Sequence, residues 1–135
     1  MGQQQLLLIT LGVIIVSIAV TTGIAYFNQS SIDANRDAVV MDLNYLADYA
    51  FAYFKKPKTL AGGGGSFVGF SIQSQLDTTS NGNYNINSVS NSKISIQGIG
   101  VESVSSAVSC NPNTNKIQYT IDLDDNQNRT VTKNQ

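Results

Sequence analysis

The sequence predicts an α+β fold in which one long amino-terminal helix carries a small antiparallel β-sheet domain on its carboxyl-terminal half. Three observations lead to this prediction. The first 32 residues contain no charged side chain, helical periodicity continues from there to Phe54, and clean alternation of apolar and polar residues is confined to the last third of the chain.

The helix is expected to cover about residues 3–56. Its first part, Leu6 to Phe27, is an almost unbroken apolar run of about 33 Å at the α-helical rise, which matches the hydrocarbon layer of a bilayer. This run is long for a secretory signal and lacks a basic flank, so removal as an ordinary signal peptide is not expected. Residues 1–31 are therefore assigned to a hydrophobic helix of a membrane or a filament core.

Residues 32–56 are interpreted as an amphipathic continuation of the same helix. Apolar residues recur there every three or four positions, with acidic residues between them. Pro57 ends the helix, and Lys55 and Lys56 lie near its last turn, where cations are favoured. The predicted apolar stripe comprises Val39, Val40, Leu43, Leu46, Ala47, Ala50, Phe51 and Phe54.

Residues 57–92 are rich in Gly, Asn and Ser and are assigned to a loop region. The run from Gly62 to Gly65 indicates a flexible connection. The apolar residues within 66–80 are compatible with a short strand or with a helical turn. Alternation through Tyr84, Ile86 and Val89 leaves a further strand open in this region.

Residues 93–135 are assigned to an antiparallel β domain. Strands are predicted over 93–99, with an extension through 101–105, over 116–123, and around 130–132. A domain of this size without disulfides would be marginal by itself. The apolar stripe of the helix is therefore expected to supply the missing side of its core.

The composition argues against several classes of function. Charged residues make up 13% of the chain and the net charge is −1, so no nucleic-acid partner is predicted. The chain has no His, and Cys110 is its single cysteine, so the usual Cys-His and Ser-His arrangements are unavailable. Cys110 is interpreted as a plain thiol, and neither an enzyme, a cofactor nor a metal is expected.

Two weaker motifs lie among the polar residues. Asp122, Asp124, Asn126 and Asn128 alternate as the first ligands of a calcium loop do, but the glycine and the closing glutamate of that loop are missing, so a hairpin turn is preferred. The acceptor motif for N-glycosylation occurs at Asn28 and at Asn128. Only Asn128 is expected to face solvent.

A helix that is apolar in its first half and amphipathic in its second, with a small β domain on the latter, resembles the type IV pilin-like superfamily. The resemblance covers the whole chain as architecture and about the first fifty residues as motif. In that family a prepilin peptidase cuts after a glycine. The matching glycine is Gly2, which would leave Gln3 first. Gln3 and Leu7 stand where common bacterial pilins have Phe and Glu, so the chain looks most like archaeal-type or divergent bacterial members.

This resemblance implies a structural subunit of a helical, extracellular, pilus-like filament. The subunit would reside in the cytoplasmic membrane before assembly and on the cell surface afterwards. The implied partners are copies of itself, the membrane, a prepilin peptidase and a pilus assembly machinery. The residues expected to pack in the filament core are Leu7, Leu11, Ile14, Ile15, Ile18, Ala19 and Gly23.

Two questions stay open at the level of the sequence. Cleavage follows Gly2, or the true start lies upstream, or the chain is not cleaved. The second question concerns assembly, because a single-pass, membrane-anchored pseudopilin or a binding module of a secretion apparatus would use the same apolar helix without forming a long polymer.

Overall fold

The computed structural model describes residues 2–104 and 116–134, and Cys110 lies outside these ranges. Helix α1 spans Gly2–Lys55, and a short 3-10 helix spans Lys58–Leu60. Four strands follow: β1 Gly82–Val89, β2 Lys93–Ser103, β3 Lys116–Asp124 and β4 Arg129–Lys133. The predicted α+β fold, a long helix with an antiparallel sheet packed on it, is confirmed.

The four strands form one antiparallel meander in the order β1-β2-β3-β4. Ile96 of β2 lies opposite Ile86 of β1 and Ile121 of β3, and Ile121 lies opposite Val131 of β4. Because side chains alternate across a strand, this register places all four on one face of the sheet. That face supplies the larger part of the core: Tyr84, Ile94, Ile96, Ile117, Tyr119, Ile121 and Leu123 are buried.

The predicted stripe of α1 closes this core from the other side. Six of its eight members are buried, while Val40 and Phe51 lie half-buried at its edges. Gly98 of β2 permits the close approach, since a Cβ there would lie 3.1 Å from Val39 Cγ1 and 2.9 Å from the ring of Tyr84. The helix ends one residue earlier than expected.

The strands predicted in the last third are all present, and β2 continues through Ser103. Strand β1 confirms the alternation through Tyr84, so the sheet begins within the region assigned to loop. Residues 66–80 contain two turns, one closed by a hydrogen bond from Phe70 N to Phe67 O and one by hydrogen bonds from Leu76 N and Asp77 N to Gln73 O. The strand considered for that segment is absent from these described residues, apart from a single bridge between Thr78 and Asn83.

By compactness the chain divides into an amino-terminal unit, residues 1–33, and a carboxyl-terminal unit, residues 34–135. The sheet and the buried part of α1 belong to the second unit. The first unit consists of the apolar part of α1. Each unit therefore presents its own surface.

Candidate assembly surface

The apolar segment of α1, Leu6 to Phe27, is exposed along its whole length. Its large apolar side chains have between 49% (Leu11) and 75% (Tyr26) of their surface accessible. Within the described residues, α1 is the helix that is long and apolar enough to cross a membrane, and none of its apolar window is buried. An exposed apolar surface of this extent marks a site of contact with lipid or protein.

The Ser and Thr hydroxyls of the apolar segment are satisfied within the helix itself. Each of the four donates to a backbone carbonyl three or four residues earlier: Thr10 to Leu7, Ser17 to Val13, Thr21 to Ser17 and Ile18, and Thr22 to Ile18 and Ala19. These internal bonds leave no Ser or Thr hydroxyl in need of water. Within the described residues, the hydroxyl of Tyr26 makes no such bond, and it lies at the end of the segment. Residues 6–25 can therefore enter lipid, or the dry interior of a protein assembly, without an unpaired hydroxyl donor.

The seven residues predicted to pack in a filament core all lie on this exposed segment. At about 100° per residue they cover about half of the helix circumference. Leu7, Leu11, Ile14 and Ile18 form one line, and Ala19 and Gly23 form another. A Cβ added at Gly23 would meet nothing within 4 Å, so the space beside it is free in the single chain.

The candidate processing site lies at the beginning of α1. Gly2 and Gln3 are both exposed and helical. Cleavage between them would leave Gln3 as the first helical residue.

Both candidate glycosylation sites are exposed in the single chain. Asn128 lies in the predicted hairpin turn between β3 and β4, where its carbonyl accepts from Asp124 N. Asp124 also pairs with Lys93, at 3.3 Å. Among the described residues, no group of three or more His, Cys, Asp or Glu side chains is placed to hold a metal ion.

Asp42 joins α1 to the sheet through one carboxylate oxygen. Its Oδ2 accepts from Tyr84 OH at 2.7 Å, from Asn81 Nδ2 at 2.9 Å and from Thr79 Oγ1 at 3.2 Å. Burial, together with the bond to this carboxylate, raises the pKa of the Tyr84 hydroxyl far above its ordinary value of 10. The hydroxyl therefore stays protonated and remains a donor to Asp42.

Asn35 provides a second polar link between α1 and the sheet, about two helical turns before Asp42. Its Nδ2 donates to Asn81 O at 2.8 Å, and its Oδ1 accepts from Val101 N at 3.1 Å and from Glu102 N at 3.3 Å. These are main-chain groups, so the side chain substitutes for backbone partners where β2 is irregular. Neither Asn35 nor Asp42 is distinguished by the sequence, because both are polar residues on a helix that has many.

The run from Gly62 to Gly65 caps the carboxyl end of α1 and does not form a free connection. Its four amides donate to Pro57, Tyr53, Lys56 and Phe54 carbonyls in turn. The last carbonyls of a helix otherwise lack partners. A Cβ at Gly63 would lie 1.8 Å from Ser66 O, and Gly65 has φ +87°, so side chains are excluded at both positions. The flexible connection expected from four glycines is therefore wrong.

Two open depressions, of about 460 and 590 Å³, adjoin Tyr53 at this end of the helix. Tyr49, Tyr53 and Phe70 form an aromatic cluster there, with ring centroids 5.6 Å apart in both contacts to Phe70. The lining residues include Gln73 and Lys58 but no carboxylate, imidazole or thiol. These side chains can form hydrogen bonds and stacking contacts, and they provide no nucleophile paired with a base.

A second exposed apolar feature was not singled out by the sequence. Met41 and Tyr45 are 72% and 59% exposed. They lie on the side of α1 that faces away from the sheet. The signal that could have found them is a pair of large apolar residues, four positions apart, outside the predicted stripe.

Comparison of the chain with protein-family models, with curated proteins and with solved structures found no match. Function is therefore inferred from the residues and their geometry.

Proposed function

We propose that this protein is the structural subunit of a helical, pilus-like filament in which the apolar segments of many copies pack together as the core. The observation that carries the proposal is the exposure, in the single chain, of every large apolar side chain between Leu6 and Phe27. The carboxyl-terminal unit, with its sheet on α1, would form the outer layer of the filament.

The size of the hydrophobic term supports assembly or membrane residence over a free monomer. Fourteen large apolar side chains are exposed between Leu6 and Phe27. At about 1.5–3 kcal/mol each, their burial stabilises by at most about 20–40 kcal/mol. This is more than the whole stability of a typical domain. Lipid can provide the burial before assembly, and neighbouring copies can provide it afterwards.

The low charge of the chain also favours close packing of copies. Eight basic and nine acidic residues give a net charge of −1, so identical subunits repel one another little. The resemblance to type IV pilin-like proteins points in the same direction, and under it a peptidase would act after Gly2 and the filament would be displayed on the cell surface.

The competing proposal, a single-pass anchor for a pseudopilin or a binding module, uses the same helix but needs only lipid around it. The two proposals differ in whether the helix surface must fit against another helix. Small residues permit such close contact between helices. Gly23 is the position that separates the proposals, because a larger side chain there meets nothing in the single chain.

The test replaces Gly23 with leucine in the full-length protein, which is purified in detergent and then freed of detergent by dialysis. We expect the wild type to form fibres, visible by negative-stain electron microscopy and recovered in the pellet on sedimentation. Gly23→Leu should keep its partition into membranes, since leucine is more apolar than glycine, but should lose fibres. Ile24→Leu, the adjacent conservative change, should keep both properties.

An anchor gives a different pattern. Wild type and Gly23→Leu would then both partition into membranes, and neither would form fibres after detergent removal. That result would reject the filament proposal and favour the anchor.

A further inference from the structure

The face of α1 that points away from the sheet carries an exposed stripe within the carboxyl-terminal unit. We call it the outer stripe: Ala34, Asp37, Met41, Tyr45, Asp48, Ala52 and Lys55, all of which are exposed. At 100° per residue these positions fall within about 80° of one another and opposite the buried stripe. The outer stripe is therefore a narrow line with an acid, Asp37, near its beginning and a base, Lys55, at its end, while the acid in its middle, Asp48, is paired with Arg129 of the same chain.

The charged residues at the two ends of the stripe, Asp37 and Lys55, are opposite in sign and lie on the same line of the helix. Asp37 and Lys55 are 18 residues apart, which is five turns at 3.6 residues per turn, so they lie on the same line of the helix about 27 Å apart. Ala34 and Ala52 have the same separation. Both ends of the stripe therefore repeat a small residue followed three positions later by a charge.

In the part of the chain that the structure describes, neither charge is neutralised by an ion pair. Two other exposed or half-buried acids of this unit are paired with a base, Asp48 with Arg129 and Asp124 with Lys93. Among the described residues, Asp37 has no hydrogen-bond or ion-pair partner, and Lys55 contacts only the rings of Phe51 and Phe54, at 5.1 and 5.6 Å. Being fixed 27 Å apart on one helix, the two cannot meet each other in a single molecule.

We propose that the outer stripe is a contact between copies of this chain, in which parallel helices are displaced by five turns so that Asp37 of one subunit pairs with Lys55 of the next. The inference rests on the proposed filament, which requires the helices to be parallel. The two ends of the stripe differ, so the contact is head-to-tail, and each pair of subunits leaves one acid and one base for further neighbours. Contacts of this type propagate into open helical polymers.

The opposite charges of Asp37 and Lys55 favour a second copy of this chain as the partner of the outer stripe, and their separation fixes the axial displacement between the two copies. Met41 and Tyr45 lie between the two charges and are removed from water by the same contact, which supplies its apolar part. The charges contribute mainly direction and register, since like charges meet if the displacement or the polarity is wrong. The contact therefore fixes the axial displacement between neighbouring subunits, which the packing of the apolar segments alone does not specify.

A charge-exchange experiment tests the pairing in the full-length protein. Asp37→Lys and Lys55→Asp should each raise the concentration needed for fibre formation about five- to tenfold at low salt. The double variant should return to within about twofold of wild type, and the differences should shrink in 1 M salt. Lys56→Asp is the matched control: it makes the same change at the end of the helix, off the stripe, and should behave as wild type.

Cross-linking tests the direction and the displacement. In a Cys110→Ser background, the Ala34→Cys, Ala52→Cys double variant keeps both charges and brings the two new thiols together between neighbours. Oxidation of its fibres should give a ladder of covalent dimers, trimers and longer species. The Tyr45→Cys variant in the same background should give no ladder, because equivalent residues of neighbours lie about 27 Å apart.

The outcomes separate this contact from the proposed function. Wild-type fibres without rescue by the double charge exchange would overturn the Asp37–Lys55 pairing and leave the filament intact. Cross-linking that stops at dimers, with Tyr45→Cys also joined, would show an antiparallel pair and overturn the parallel displacement. Absence of wild-type fibres would remove the filament and this contact together.

Discussion

Replacing Asp42 with alanine tests how the sheet is held on α1. Asp42 Oδ2 accepts three hydrogen bonds, from Thr79, Asn81 and Tyr84. Two of the donors, Thr79 and Asn81, are half-buried and can donate to water once the carboxylate is removed. The hydroxyl of Tyr84 cannot, because that residue is 1% exposed.

The expected loss follows from these contacts. A hydrogen bond to a charged group contributes about 1.5–3 kcal/mol, and an orphaned buried hydroxyl costs about 1–3 kcal/mol. Because the three bonds share one oxygen and are not additive, we expect Asp42→Ala to lower the free energy of unfolding by about 3 kcal/mol. Asp37→Ala is the matched control on the same helix, exposed and without a partner among the described residues, and should change it by less than about 0.5 kcal/mol.

The assay is urea unfolding of the full-length protein in detergent micelles, followed by the near-ultraviolet circular dichroism of its tyrosines. A double-mutant cycle with Tyr84→Phe isolates the shortest bond and should give a coupling energy of at least about 1 kcal/mol. Equal effects of Asp42→Ala and Asp37→Ala, or a coupling energy near zero, would refute the claim that this carboxylate fastens the sheet.

Three further predictions use the same unfolding assay. Gly63→Ala should lose at least about 2 kcal/mol, because its Cβ would lie 1.8 Å from Ser66 O and the cap of α1 would open; Gly12→Ala, in open space, is the control and should lose nothing. Phe67→Ala should lose about 3–5 kcal/mol, because Phe67 is fully buried and stacks at 4.6 Å on Phe54. The raised pKa of Tyr84 makes its protonated form part of the folded state, so its contribution is complete below about pH 10 and falls above it by up to about 1.4 kcal/mol per pH unit; Tyr84→Phe should lack this slope.

Each of these predictions has a contrary outcome. A Gly63→Ala protein as stable as Gly12→Ala would mean that the glycine run is not a cap. A small loss for Phe67→Ala would place that ring outside the core. Identical alkaline slopes for wild type and Tyr84→Phe would show that Tyr84 ionises freely while the protein is folded.

The helix and the later strands could be predicted because their signals are local. The interval between apolar residues fixes which side of α1 is buried, and strict alternation marks β3 through Ile117, Tyr119, Ile121 and Leu123. Strand β1 was harder to assign, because its polar residues resemble a loop by composition. Its pairing with β2, from Gly82 opposite Gly100 to Val89 opposite Ile94, decides the structure, and no local property reports such a partner.

The polar links and the glycine cap could not be predicted for a related reason. Four consecutive glycines usually indicate a flexible backbone. The structure shows instead that their amides donate to carbonyls at the end of α1, including those of Tyr53 and Phe54. Asp42 likewise becomes distinctive only when residues 79–84 are placed above it. The apolar segment of the candidate assembly surface, by contrast, could be predicted from the sequence. The outer stripe could not, because it depends on which side of α1 the sheet covers.

Electron cryomicroscopy of material formed by the wild-type protein after detergent removal tests the central claim most directly. The account predicts fibres in which residues 6–27 of neighbouring copies are in contact along the axis and the sheets lie outside. Discrete particles in which those residues touch only lipid or detergent would contradict it.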